Sequence, residues 1–205
     1  MINKILIFIC LLIIPCFSSG IQHDVVTTLQ KRLEKNKSFQ AEFHQKVIDK
    51  NNILIQEGYG YIWLHRPNQL YWKMLYPDQS DFISDGNTLW IYNPSIKQVS
   101  IYCMKNILQD TPFMLVICNK PNDWKQYHLL QKGDKFIFTP KELYSNIKKY
   151  TINVLNNGNI NQFSIFEKDG VCIRYILSKQ NSIPINPKKF QFSIPLGVTI
   201  DDHQK

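Results

Sequence analysis

Between residues 39 and 104 the sequence turns so often that only one kind of sheet can follow. Turn residues stand at Asp49-Lys50-Asn51-Asn52, Arg66-Pro67-Asn68, Asp85-Gly86-Asn87 and Asn93-Pro94. Asx, Gly and Pro at such positions supply tight-turn backbone geometry. The runs between them, residues 53–64, 69–76, 81–84, 88–92 and 98–104, are rich in aromatic and β-branched residues, as strands are. Before them Phe39, Ala41 and Phe43 alternate with Gln40, Glu42 and His44, the pattern of a half-buried strand. Parallel neighbours need a crossover of about a dozen residues or more, whereas antiparallel neighbours need only a turn. The pairing expected is therefore antiparallel.

The same punctuation resumes after residue 122. Strands are expected at 123–131, 135–141, 148–155, 160–167, 172–180 and 188–194, with turns at Gly133-Asp134, Asn156-Asn157-Gly158 and Asp169-Gly170. Helices fill what is left. Asp24 can cap a helix with Val25, Leu29 and Leu33 at helical spacing, ending near Lys35-Asn36. A short helix is expected at 105–110. A second covers 111–118, with Thr111 as N-cap and Pro112 at the first helical position. With no repeats and no linker, the fold expected is mainly β (α+β): one domain with about eleven strands in a strongly curved sheet. Three helices cover its concave face.

One hairpin stands out. Tyr59, Tyr61 and Trp63, followed by Leu70, Trp72 and Met74, read as one large apolar face, with Arg66 where the two strands meet. A small domain that builds such a face needs something to bury against it.

The N-terminus suggests where this happens. Lys4 precedes an unbroken apolar stretch over residues 5–14, then Pro15 and the small residues Ser18, Ser19 and Gly20. That is the pattern of a secretory signal, too short to span a bilayer that needs about 20 residues. Residues 1–20 are expected to be removed, leaving a mature start near Ile21. Lipid attachment needs a small residue before a cysteine, and Ile9 and Pro15 stand before Cys10 and Cys16. The exported chain is thus expected to be soluble.

Composition adds exclusions. Apolar residues at 44% and charged residues at 20% describe a globular chain, not a disordered one. The formal charge of +8 comes from scattered lysines, with only pairs such as Lys31-Arg32, Lys148-Lys149 and Lys188-Lys189. None sits in a nucleic-acid-binding motif. Cys103, Cys118 and Cys172 remain after the leader, an odd number with no CxxC, so a disulfide or three buried thiols are both open. Catalytic motifs are missing: there is no GxSxG elbow, HExxH, P-loop or dinucleotide fingerprint. The histidines are isolated, and Glu42 and Glu57 alternate with the apolar face and should point to solvent. Asn36-Lys37-Ser38 matches a glycosylation acceptor, a tripeptide common by chance. No enzyme activity, metal or cofactor is expected.

Four segments, WLHRPNQLYWKM (63–74), SDGNTLWIYNP (84–94), TPFMLVICN (111–119) and FQFSIPLGVTIDD (190–202), resemble in order the LolA family of periplasmic outer-membrane lipoprotein carriers. The resemblance implies an incomplete antiparallel β-barrel of about eleven strands under three lid helices. It implies a soluble monomer that receives triacylated lipoproteins from an ATP-driven releasing complex in the inner membrane. The carrier would pass them to a receptor lipoprotein on the outer membrane. Lipoproteins with an Asp retention signal after their N-terminal Cys would not be carried. By resemblance Arg66 is the lid latch, against its plainer reading as a turn arginine. The acyl cavity would be lined by Leu33, Trp63, Leu70, Trp72, Met74, Phe113, Val116 and Phe163. Leu70 departs from the phenylalanine common in the family where the carrier meets its donor. The alternatives are the outer-membrane receptor of the same fold, against which Ile9 and Pro15 argue, and a secreted lipid hydrolase, which lacks its nucleophile motif here.

Overall fold

Each turn in the first half joins two hydrogen-bonded neighbours. The computed structural model describes residues 19–107, 116–119, 123–141 and 146–204, with side chains from Asp24 onward. Helix α1 (Ser19–Glu34) leads into β1 (Ser38–Ile48), β2 (Leu54–His65), β3 (Gln69–Tyr76), β4 (Ser80–Asp85), β5 (Thr88–Asn93) and β6 (Gln98–Cys103). After the short helix α2 (Met104–Ile107) come β7 (Tyr127–Lys132), β8 (Lys135–Pro140), β9 (Ile147–Val154), β10 (Ile160–Glu167) and β11 (Cys172–Asn181). The last strand is β12 (Thr199–His203). All twelve form one open sheet in the order β12-β6-β5-β4-β3-β2-β1-β11-β10-β9-β8-β7. Two meanders, β1 to β6 and β7 to β11, are thus joined along β1 and β11.

The sheet curls hard. On a flat sheet β3 and β10 would lie four strand spacings apart, about 19 Å. Yet the rings of Trp72 on β3 and Phe163 on β10 are 5.8 Å apart, and Trp72 is 5.1 Å from Tyr175 on β11. Only a concave inner face brings them together. α1 lies across that face against β7 and β9. Leu29 and Leu33 of α1 join Phe39, Phe43, Ile62, Leu64, Phe136 and Ile160 in one continuous core.

Several expectations need correction. Asp24 lies inside α1 and does not cap it. Residues 123–126 form a 3-10 helix before β7, and the strand expected at 188–194 is absent. There Asn186 accepts a hydrogen bond from the Lys188 amide at 3.0 Å, and Pro187 opens a 3-10 helix at Pro187–Phe190. These are helix-start signals that outweigh the β-like spacing of Phe190 and Phe192. The additional strand, β12, pairs with β6 in parallel, so the sheet has twelve strands and one parallel pair. The long connection between β6 and β12 permits it. The second and third expected helices are represented by α2 and by helical residues 116–118, the remainder lying outside the described residues. So does the expected leader over residues 1–20, apart from Ser19 and Gly20, which open α1. Cys103, Cys118 and Cys172 are free thiols.

Candidate functional site

The hairpin that stands out in the sequence divides its aromatics between two faces. Its register places Trp63 opposite Tyr71, Ile62 opposite Trp72 and Leu64 opposite Leu70. The three-residue turn keeps odd-numbered residues opposite odd, so Tyr59, Tyr61 and Trp63 share a face with Tyr71, not with Trp72. Trp63 is therefore not in the cavity. It donates through Nε1 to Gln40 Oε1 at 2.9 Å, and Lys189 Nζ sits 3.8 Å over its ring and 5.1 Å from Tyr71. Burial there and the nearby Lys73 lower the Lys189 amine below its ordinary value.

The inner face holds most of the other expected residues. Leu33, Leu70, Trp72, Val116 and Phe163 are all buried, and Met74 packs partly buried against them. Phe113 lies outside the described residues. Phe43 and Tyr175, not foreseen, complete an aromatic floor with Trp72 and Phe163. Phe43 is 4.4 Å from Trp72, and Phe163 stacks on Tyr175 at 4.4 Å. Burial pushes the Tyr175 hydroxyl up to about 12. Gly60 on β2 is what lets Phe43 lie flat over the sheet, because a Cβ there would stand 2.9 Å from the Phe43 ring and 1.9 Å from the Lys73 carbonyl oxygen. The signal for Phe43 was present in the 39–43 alternation. Tyr175 carried a fainter one: Ile173, Tyr175 and Leu177 share a face of β11, and Ile176 between them blurs the alternation.

Beside this floor a small open cleft runs between Val116, Phe138, Tyr150, Ile152, Phe163 and Ile165. Its walls are largely aromatic and aliphatic, the lining of a site for apolar ligands.

Arg66 meets the edge of the cleft at Val116. The arginine is only 9% exposed. Its Nε donates to the Leu33 carbonyl at 3.2 Å, and its Nη1 donates to the carbonyls of Val116 at 2.5 Å and Ile117 at 3.1 Å. All three acceptors lie at helix ends: Leu33 in the last turn of α1, and Val116 and Ile117 just before Asn119, whose φ of 51° ends the helical turn in the left-handed region. Helix ends leave carbonyls without intrahelical partners and concentrate partial negative charge. One guanidinium satisfies both ends. It forms no carboxylate ion pair among the described residues, so burial lowers it to about 10, with Cys118 opposing the shift.

The end of α1 is also fixed independently. Arg32 Nη1 donates to Asp134 Oδ1 and to the Val154 carbonyl, both at 2.6 Å. Asn36 donates to Asn159 Oδ1 at 3.0 Å and accepts from Ser182 Oγ at 3.0 Å. The glycosylation-like tripeptide thus begins with a buried asparagine built into the core. Gly158, at φ 90°, passes so close that a Cβ would lie 2.6 Å from the Arg32 carbonyl oxygen. On the outer face Glu42 pairs with Lys179 and Glu57 with Lys46, as their parity requires.

Comparison with known proteins agrees with this architecture. The family model described as "Outer membrane lipoprotein carrier protein LolA" matches residues 34–193. An outer-membrane lipoprotein carrier protein of Erwinia tasmaniensis is 48% identical over 98% of this chain and 100% of its own length. One from Salmonella paratyphi A is 44% identical over 96% and 97%. An uncharacterized conserved protein of Thermus thermophilus shares the fold, with a TM-score of 0.59 over 88% of this chain and 98% of that one, at 10% identity. The chain belongs to the LolA family of outer-membrane lipoprotein carrier proteins.

Proposed function

We propose that this chain is a periplasmic carrier that holds the acyl chains of lipoproteins against the aromatic floor and releases them at the outer membrane. The observation that carries this reading is the apolar floor of Phe43, Trp72, Phe163 and Tyr175, with a single buried arginine joining two helix ends beside it. Such a site offers apolar surface for hydrocarbon and a closure that can open.

Energetics favour exchange over capture. Each methylene removed from water contributes about 0.8 kcal/mol, so three long chains would amount to tens of kcal/mol against water. No non-covalent affinity reaches that range. The real competitor is a bilayer or another protein's cavity, where the chains are already dry. Transfer is then nearly balanced, and the lid decides its direction. The charge-assisted bonds of Arg66 contribute about 1.5–3 kcal/mol each, enough to bias a lid without locking it. The space the cleft encloses, about 20 Å³, is hardly more than one water molecule needs. Three chains need more room, which residues 116–119 would provide by moving away from Arg66.

In this reading the chain acts as a monomer. It accepts triacylated lipoproteins from an ATP-driven inner-membrane releasing complex, passes over those with an Asp retention signal, and unloads onto an outer-membrane receptor. The test is direct. The purified exported chain is incubated with membranes holding a newly made lipoprotein and its releasing complex, and the supernatant is sized. A soluble one-to-one complex is expected; lipoprotein that stays with the membranes would refute the proposal.

A further inference from the structure

The inward positions of β1 run Phe39, Ala41, Phe43 and Gln45. The first three are apolar and belong to the core, whereas the fourth is an amide that is only 8% exposed. Gln45 Oε1 is closed off from solvent and accepts no hydrogen bond from any described residue. Burying an amide oxygen without a partner is costly, and such groups are rare in folded proteins. An apolar side chain of the same shape would fill the place without that cost. Packing alone does not account for a glutamine here.

Its neighbours belong to the aromatic floor. The register sets Gln45 opposite Tyr175 on β11 and opposite Gly58 on β2. Directly opposite residues of an antiparallel pair share a face. Gln45 therefore stands beside the ring that stacks on Phe163, itself a wall of the cleft. A Cβ at Gly58 would lie 2.9 Å from Gln45 Oε1 and 3.4 Å from Met74 Sδ. The side chain that Gly58 lacks is what leaves room for the amide on this face.

The chemistry of the orphaned oxygen selects its ligand. An acceptor needs a donor, and hydrocarbon has none. Acyl chains are attached through esters or through amides. An ester carries only acceptors, whereas a secondary amide carries an N–H.

We propose that Gln45 Oε1 accepts the N–H of an amide-linked acyl chain and so fixes the polar end of that chain on the floor. The contact rests on the carrier reading, because the hydrocarbon beyond the amide must lie against the aromatic rings. An ester-linked chain could lie on the same floor but would leave Gln45 unpaired. Two probes isolate the contact: N-methyldodecanamide and methyl dodecanoate, which differ only in N–H against O. Binding of each, radiolabelled, is measured by equilibrium dialysis against the exported chain and against Gln45→Leu. The ratio of amide to ester affinity should fall at least about fivefold in Gln45→Leu, the effect of one buried hydrogen bond, with an unchanged near-ultraviolet circular dichroism spectrum. A merely structural role for Gln45 would move both affinities together and leave the ratio as it was. Should Gln45→Leu misfold, Gln45→Met, unbranched like glutamine, provides the same reading. An unchanged ratio in a folded variant overturns the proposal and leaves the carrier reading standing. A wild-type chain that binds neither probe overturns both.

Discussion

The two helix ends that meet at Arg66 are held in different ways. The end of α1 is pinned to the second meander by Arg32, which reaches Asp134 and Val154, by Asn36, which reaches Asn159, and by the close passage of Gly158 in the same turn. At residues 116–119, two carbonyls share one donor atom, Arg66 Nη1, and the Asn119 carbonyl accepts a long bond of 3.4 Å from Gln30. Both regions are buried, so burial does not separate them. What separates them, among the described residues, is how many polar contacts hold each. In the proposed carrier, α1 is the fixed wall and the 116–119 turn the part that Arg66 controls.

The strongest way to break this comparison is to loosen the wall. Gly158→Val puts a branched side chain at φ 90° and against the Arg32 carbonyl; the strain of such a backbone alone is about 1–3 kcal/mol. With the clash added, unfolding in urea should show a loss of about 3 kcal/mol or more. A midpoint close to wild type would mean that α1 is not anchored there.

Arg66→Leu addresses the other side. It leaves three carbonyls without their donor, which should cost about 1–3 kcal/mol, offset in part because a buried charge without a counter-ion is removed. The variant should fold and load lipoprotein but unload poorly. Amide exchange at 116–119 should accelerate while exchange in the last turn of α1 stays as it was. Unloading at the wild-type rate would exclude latch control.

Arg32→Ala sharpens the contrast. It removes a partly exposed ion pair and one backbone contact, worth about 1 kcal/mol together. Stability should drop slightly and unloading should not change. An unloading defect like that of Arg66→Leu would show that the two ends act as one unit.

The last effect concerns the floor and shows only at alkaline pH. Burial raises Tyr175 from its ordinary value of 10.0 to about 12. The folded state therefore holds a proton that the unfolded chain releases first. Stability from this group is full below pH 10 and is lost as pH rises from about 10 to about 12. Tyr175→Phe should remove that part of the alkaline decline; an identical decline in the variant would place Tyr175 outside the buried floor.

Much of this was legible in the sequence. Turn chemistry gave the strand pairings, and alternation in 39–43 gave the buried face of β1. Arg66 drew notice because a charge stood at the edge of an apolar hairpin. The error at Trp63 came from counting alternation along each strand without carrying parity through the turn. Once Trp63 is paired with Tyr71, its outward direction follows. β12 has no such signal, because Asp201 and Asp202 break its apolar pattern and only a distant partner, β6, makes it a strand. The anchoring of α1 depends on residues more than a hundred positions apart, which no local pattern encodes.

Amide hydrogen exchange, compared between the empty chain and its soluble lipoprotein complex, tests most directly whether a single arginine holds the movable part of the lid. Cargo should raise exchange at 116–119, as the turn leaves Arg66, and leave the last turn of α1 protected. Equal protection of both ends in the loaded complex, or loss of protection in α1 first, would contradict the account.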